Sequence, residues 1–200
     1  MISQIRSKYF GIGLSRTGTK SLAAALNLLG IRTKWYPQDY DTYRDLVLAN
    51  YRLRVLERFD GITDIPAAPY FPQFDKLFPG SKFILTVRDK DAWLESCRKH
   101  WGKYSIEDVE PDDAPHVRKF AQWIDCVVYG SHKFDADRWS WVFDRHLETV
   151  RQYFHDRPDD LLVIDFPQGE GWTELCSFLG IEPPNGPFPK INDFHSPLLG

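Results

Sequence analysis

Three short stretches of this sequence combine residue types that handle anions and protons. The first runs from Gly13 through Leu14, Ser15, Arg16, Thr17, Gly18, Thr19 and Lys20 to Ser21, a turn of small and hydroxyl residues with two cations. The backbone N–H groups of such a turn, and the start of a helix behind it, converge on a point where an anion is stabilised. Phosphate is the obvious candidate. The second is Arg88, followed eight residues later by Ser96, a guanidinium and a hydroxyl able to grip another anion. The third is Asp64, a carboxylate that could take a proton from an incoming hydroxyl, hold a magnesium ion, or simply shape the turn ahead of Pro66.

The elements that must position these groups follow from periodicity. Tyr9–Leu14 is an apolar run of strand length, and Leu22, Leu26 and Leu29 then fall at helical spacing, closed by Gly30. Strand, tight turn and helix start thus coincide on the first stretch. Residues 31–36 predict a second strand, 41–58 a helix capped by Asp41, 61–65 a third strand, and 69–78 a short helix. Lys82–Val87 is the clearest buried strand and delivers Arg88 at its end. A helix over 90–100, capped by Asp89 or Asp91, carries Ser96. Residues 101–115 read as a polar loop, and two longer helices follow at about 115–130 and about 136–155. A strand at 161–166 and a helix at 171–179 capped by Gly180 complete the pattern, leaving 181–200 as an irregular tail. Strands alternating with helices predict one α/β domain over 1–200, with a parallel sheet covered on both faces. Ligands of such sheets bind beyond the carboxyl ends of the strands. Those ends are Ser15–Thr19, Thr63-Asp64, Arg88 and Asp165-Phe166.

Composition narrows the partners. A formal net charge of −3 argues against a nucleic-acid surface. The cysteines are Cys97, Cys126 and Cys176, odd in number and widely spaced, so free thiols in a reducing, cytoplasmic setting are expected. The His residues show no metal-ligand spacing. The first ten residues hold no apolar signal region and no run reaches membrane-spanning length. Aromatic residues make up 15% of the chain, enough both to build a core and to line a pocket for a flat or greasy molecule. His100, Trp101, Tyr104, Trp123 and Trp139 are the candidates for such a wall, within a helical region at about 101–155.

The first stretch approaches the Walker A pattern GxxxxGK[ST], since Gly13 and Gly18 have its spacing. The residue after Gly18 is Thr19, however, and Lys20 stands one place late, turned about 100° around the helix. A kinase of small molecules using ATP and magnesium would need the lysine directly after Gly18. Taken together, GLSRTGTKSL, TVRDKDAWLES and TDIPAAPYF resemble, in order, three segments of the sulfotransferases that use 3′-phosphoadenosine 5′-phosphosulfate (PAPS). They are similar to the 5′-phosphosulfate loop, P-[KR]-[ST]-G-T-[TN]-[SW]-L; to the 3′-phosphate motif, an Arg closing a strand with a Ser eight residues on; and to the K-T-H-L-P segment. The tail PFPKIND resembles the Pro-Phe-Pro-His-Val-Asn endings of a compact subfamily.

The resemblance implies a P-loop-like three-layer α/β/α fold and a sulfuryl transfer from PAPS to a hydroxyl or amine, leaving adenosine 3′,5′-bisphosphate. It implies that Arg16 contacts the bridging and 5′-phosphate oxygens, that Thr17, Gly18, Thr19 and Lys20 wrap that phosphate with Ser15 and Ser21 beside them, and that Arg88 and Ser96 bind the 3′-phosphate. Lys190 and Asn192 would meet the nucleotide in place of the C-terminal R-K-G-x-x-G segment, which this sequence lacks. Asp64 stands where the cytosolic enzymes carry a histidine base, which makes it the candidate general base that removes the acceptor proton, and Ile62 stands where they carry a lysine. The implied reaction is in-line and needs no metal, because a sulfuryl group carries less charge than a phosphoryl group. The implied acceptor is a small molecule, an aromatic or lipid-like alcohol if the aromatic region lines its site. A non-catalytic nucleotide-binding protein of the same fold is the remaining alternative, motivated by Arg16, Lys20 and Ile62.

Overall fold

The computed structural model describes residues 7–102 and 115–191. Five parallel strands form one sheet: β1 (Tyr9–Gly11), β2 (Thr33–Trp35), β3 (Gly61–Thr63), β4 (Lys82–Thr86) and β5 (Leu161–Ile164), in the order β2-β3-β1-β4-β5. In register, Phe10 lies beside Ile62 and Phe83, and Thr86 beside Ile164. Between them run α1 (Thr19–Leu28), α2 (Tyr40–Val47), α3 (Val55–Arg58), α4 (Phe71–Leu77), α5 (Lys90–Trp101), α6 (Pro115–Tyr129), α7 (Ala136–Tyr153) and α8 (Trp172–Leu179).

The period-2 alternation of the strands builds two cores. Phe10, Ile62, Phe83 and Leu85 face one side, where Phe71, Phe74, Trp93 and Phe120 close over them. Ile84 and Ile164 face the other, under Leu22, Leu26 and Leu175 of α1 and α8. Helices therefore cover both faces, and the three-layer α/β/α architecture follows from strands that are apolar on both sides. From β1 the chain crosses to β2 and returns through β3, then passes to β4 and β5 on the opposite flank. The strand order thus reverses beside β1, and the crevice at that reversal is where a ligand of an open α/β sheet binds.

Two expectations need correcting. Residues 41–58 are not one helix: α2 ends at Val47 and α3 starts at Val55. The chain turns at Ala49 (φ 54°), and the buried Asp45 holds the turn, its carbonyl accepting from Asn50 N at 2.8 Å and its carboxylate from Arg54 N at 3.2 Å. The cap of α2 is Asp39, which accepts from Thr42 N at 3.0 Å, rather than Asp41. Elsewhere the boundaries shift by a few residues: β1 stops at Gly11 and β5 at Ile164. Asp89 caps α5, and Gly30 (φ 79°) and Gly180 (φ 66°) take the left-handed conformation that closes a helix. The 101–115 loop and the tail beyond Ile191 lie largely outside the described residues, and Tyr104 and Asn192 fall there. The three cysteines are unpaired. No described helix is long and apolar enough to cross a membrane.

Candidate active site

The turn between β1 and α1 is shaped by close packing against the end of β4. A Cβ at Gly13 would lie 1.9 Å from Thr86 Oγ1, so position 13 admits no side chain. Thr17 Oγ1 sits 2.6 Å from Thr86 Oγ1 and donates to the Leu14 carbonyl at 2.6 Å. These contacts hold Arg16 at φ 71°, a conformation an unbranched L-residue seldom adopts. Gly18 follows at φ 102°, with the Phe166 ring against its α-carbon. Helix α1 then starts with no side-chain cap and no acidic residue in its first turn. Its N-terminal N–H groups and positive dipole are therefore left for an external anion.

Asp64 lies beneath this turn at the end of β3, buried and at φ 83°. One carboxylate oxygen accepts from the Ser15 hydroxyl and from Ile65 N (2.8 Å); the other accepts from the Thr19 hydroxyl and from Trp35 Nε1 (3.0 Å). A carboxylate has about four lone-pair sites, and all are taken. The charge thus ties the loop to α1, β2 and its own strand end. Trp93 adds a further anchor from α5, donating Nε1 to the Ser15 carbonyl at 2.9 Å. His146, on α7, lies 2.7 Å through Nε2 from the Ile12 carbonyl, and burial pushes its pKa down.

Arg88 reaches the loop as its position at the end of β4 predicts. Its Nη1 donates to the Arg16 carbonyl at 3.0 Å, while its buried Nε has no partner among the described residues. It does not pair with Asp89, whose carboxylate accepts from Ala92 N instead. Arg16 in turn points Nε at Ser96 Oγ, 3.1 Å away, so the loop cation covers the serine of the second motif. The two motifs, far apart in sequence, form one constellation of two guanidinium groups. Lys20 lies on the same rim, its ammonium 4.6 Å above the Trp35 ring. Ser21 Oγ accepts from Ile191 N at 2.9 Å, which folds the C-terminal segment over α1, and Phe188 packs on Phe166 at 4.6 Å.

These groups share one cavity of about 740 Å³. It is lined by residues 15–21, Arg88, Phe166 and Lys190, and also by Trp35, Tyr36, Ile65, Trp101, Asp125 and His132. Of the predicted site residues, Ser15 through Ser21, Asp64, Arg88 and Lys190 line it, whereas Ser96 stands behind Arg16. Of the aromatic candidates, His100 and Trp101 are on the wall. Trp139 is fully buried against Tyr129, and Trp123 packs on Tyr43 and Phe120. Three wall residues carry no local signal in the sequence: Trp35, Asp125 and His132. Among the described residues, no group of three or more His, Cys, Asp or Glu side chains is gathered to hold a metal ion.

The cavity suits a doubly anionic, partly aromatic ligand: an uncapped helix start at one point, an unsatisfied guanidinium nitrogen at another, and aromatic rings between and beyond. Comparison with known proteins agrees. Residues 8–196 match the family model described as Sulfotransferase domain. Ava biosynthesis cluster protein M of Aspergillus versicolor is 26% identical over 213 residues, covering 92% of this chain and 80% of that protein. The crystal structure of a sulfotransferase from Alicyclobacillus acidocaldarius has the same fold, with a TM-score of 0.55 at 15% identity over 88% of this chain and 82% of that one.

Proposed function

This chain belongs to the sulfotransferase domain family and uses PAPS, and from that premise we propose which of its residues do the work. When bound, PAPS supplies an activated sulfuryl group and leaves as adenosine 3′,5′-bisphosphate. The N–H groups at Gly18, Thr19 and Lys20, with the dipole of α1, would hold the 5′ end. Arg88 would hold the 3′-phosphate, its orphaned Nε being a donor already desolvated and aimed at no protein group. Arg16 brings a guanidinium to the loop. Its part is to stabilise negative charge growing on the bridging oxygen, not to hand over a proton, and it must release Ser96 or share it to do so. Charge stabilisation of this kind counts only where it is stronger in the transition state than before it. Lys190 and the segment pinned to Ser21 would close over the nucleotide.

The acceptor would lie against the aromatic part of the cavity lining. Trp35, Tyr36 and Trp101 are on that wall, which supports an aromatic or lipid-like alcohol of small size. Asp64 lines the same cavity. Its four occupied lone-pair sites support a role in holding Ser15, Thr19 and Trp35 for catalysis, with the acceptor proton going elsewhere.

The observation that carries this reading is the contact of Arg88 with the Arg16 carbonyl, which sets the two anion-binding groups side by side. Calorimetry with adenosine 3′,5′-bisphosphate, paired with radiolabelled sulfuryl transfer from PAPS, tests it. Binding and transfer are expected without ATP turnover; magnesium-dependent ATP consumption with no affinity for the bisphosphate would refute it.

A further inference from the structure

The cavity wall facing the acceptor carries a second acid–base pair that donor binding does not use. His132 lies in the turn between α6 and α7, and Asp125 lies one turn before the end of α6, its side chain almost wholly buried. His132 Nδ1 is 2.9 Å from Asp125 Oδ2. Trp101 Nε1 donates to the same oxygen, also at 2.9 Å. An indole N–H can only donate, so Oδ2 accepts from Trp101, and against an ionised Asp125 the imidazole contributes the second donor. The proton of a neutral His132 is thereby placed on Nδ1, and the lone pair on Nε2. Nε2 has no hydrogen-bond partner among the described residues, and the ring is partly open to the cavity.

We propose that His132, oriented by Asp125, removes the proton of the acceptor hydroxyl. The proposal rests on the sulfotransferase reading and answers what the saturated carboxylate of Asp64 leaves open. As the acceptor oxygen forms its bond to sulfur, its proton passes to His132 Nε2. The bond from sulfur to the bridging oxygen breaks, and its electron pair leaves on the 5′-phosphate of the nucleotide. The imidazolium is stabilised by Asp125 and returns its proton to water once the products depart. Burial pushes the Asp125 carboxyl up, and its hydrogen bonds to His132 and Trp101 offset part of that rise.

Two measurements test the pair. Nitrogen NMR of histidine-labelled protein without donor or acceptor, with His132 assigned through His132→Gln, should place the proton on Nδ1, and Asp125→Asn should shift that preference. With PAPS and 2-naphthol as substrates, His132→Gln should lower kcat by about 100-fold or more, the ordinary reach of a general base. The affinity of the same variant for adenosine 3′,5′-bisphosphate should be unchanged, and added imidazole should restore part of the turnover of His132→Gly. A wild-type proton on Nε2, or a His132→Gln kcat near that of wild type, overturns the proposal. The NMR result judges the pair whether or not 2-naphthol is sulfated. Failure of the wild type to bind the bisphosphate would count against the donor reading instead.

Discussion

Replacing Asp64 with asparagine separates a holding carboxylate from a proton-accepting one. The side chains have nearly the same shape, and asparagine is at ease at positive φ, so the backbone at 83° gives no reason for the protein to suffer. The hydrogen bonds do. Each carboxylate oxygen accepts from one hydroxyl, Ser15 or Thr19, and from one N–H that can only donate, Ile65 N or Trp35 Nε1. The hydroxyls can rotate to accept from an amide. The N–H groups cannot, so either orientation of the substituted side-chain amide would set its NH₂ against one of them. The loss is one charge-assisted bond, about 1.5–3 kcal/mol, together with one buried N–H left unsatisfied, about 1–3 kcal/mol. Relief from burying a charge offsets part of this, leaving a net destabilisation of about 2–4 kcal/mol.

In urea that loss lowers the unfolding midpoint by about 1–2 M, for a slope of about 2 kcal/mol per M. Because Ser15 and Thr19 lose their shared anchor, calorimetry should also find weaker binding of adenosine 3′,5′-bisphosphate. The opposite result would be an Asp64→Asn protein with the wild-type urea midpoint and wild-type nucleotide affinity but no sulfuryl transfer. That would make Asp64 the base and remove both the holding role and the need for His132.

Three further outcomes follow from the same geometry. Arg88→Ala removes the donor left unsatisfied beside the loop and should weaken bisphosphate binding by about 1.5–3 kcal/mol, the worth of a charge-assisted contact; unchanged calorimetric affinity would refute its assignment. Gly13→Ala drives a methyl into Thr86 Oγ1 and should cost about 1–3 kcal/mol or more as an overpacked site, read as a lower urea midpoint. His146 has its pKa depressed by burial, so the unfolded chain binds its proton first. The stability this site contributes is therefore complete above the ordinary histidine pKa, about 6.5, and is lost as pH falls below it toward the folded value. Urea midpoints of His146→Gln should fall less steeply with acidification than those of the wild type, and equal slopes would refute the assignment.

Much of this arrangement was legible because it is local. Leu22, Leu26 and Leu29 gave the helix behind the loop, and the apolar run at 82–87 gave the strand that delivers Arg88. Turn chemistry at Gly30 and Gly180 was equally local, since each needs only its own backbone conformation. The break in 41–58 was not. Tyr43, Val47, Tyr51 and Val55 keep a helical interval, but Val47 is half exposed and Tyr51 packs against Tyr70 with its ring tilted. The chain is bent there by the buried Asp45, whose bonds to Asn50 N and Arg54 N outweigh local helix propensity. His132 was illegible for a similar reason: its partners are Asp125, across a helix end, and through it Trp101 of another helix. A histidine after the Gly130-Ser131 turn carries no sign of either.

The departures from the resembling segments become coherent once their contacts are compared. A histidine where Asp64 stands could not accept from four donors at once, since an imidazole has at most one lone pair to offer. The carboxylate can, and it draws Ser15 and Thr19 inward to do so. If Asp64 is a clamp rather than a base, as proposed above, the acceptor proton has no destination near β3. The wall formed by α5, α6 and the turn after α6 then supplies one, because Trp101 and Asp125 together dictate which nitrogen of His132 is left open. Arg16 fits the same division of labour: a guanidinium in the loop serves charge stabilisation, and proton transfer is left to His132. On this account Asp64 and His132 are coupled by function but share no contact. Their single-variant losses should differ in kind, Asp64→Asn falling on stability and nucleotide affinity and His132→Gln on turnover alone.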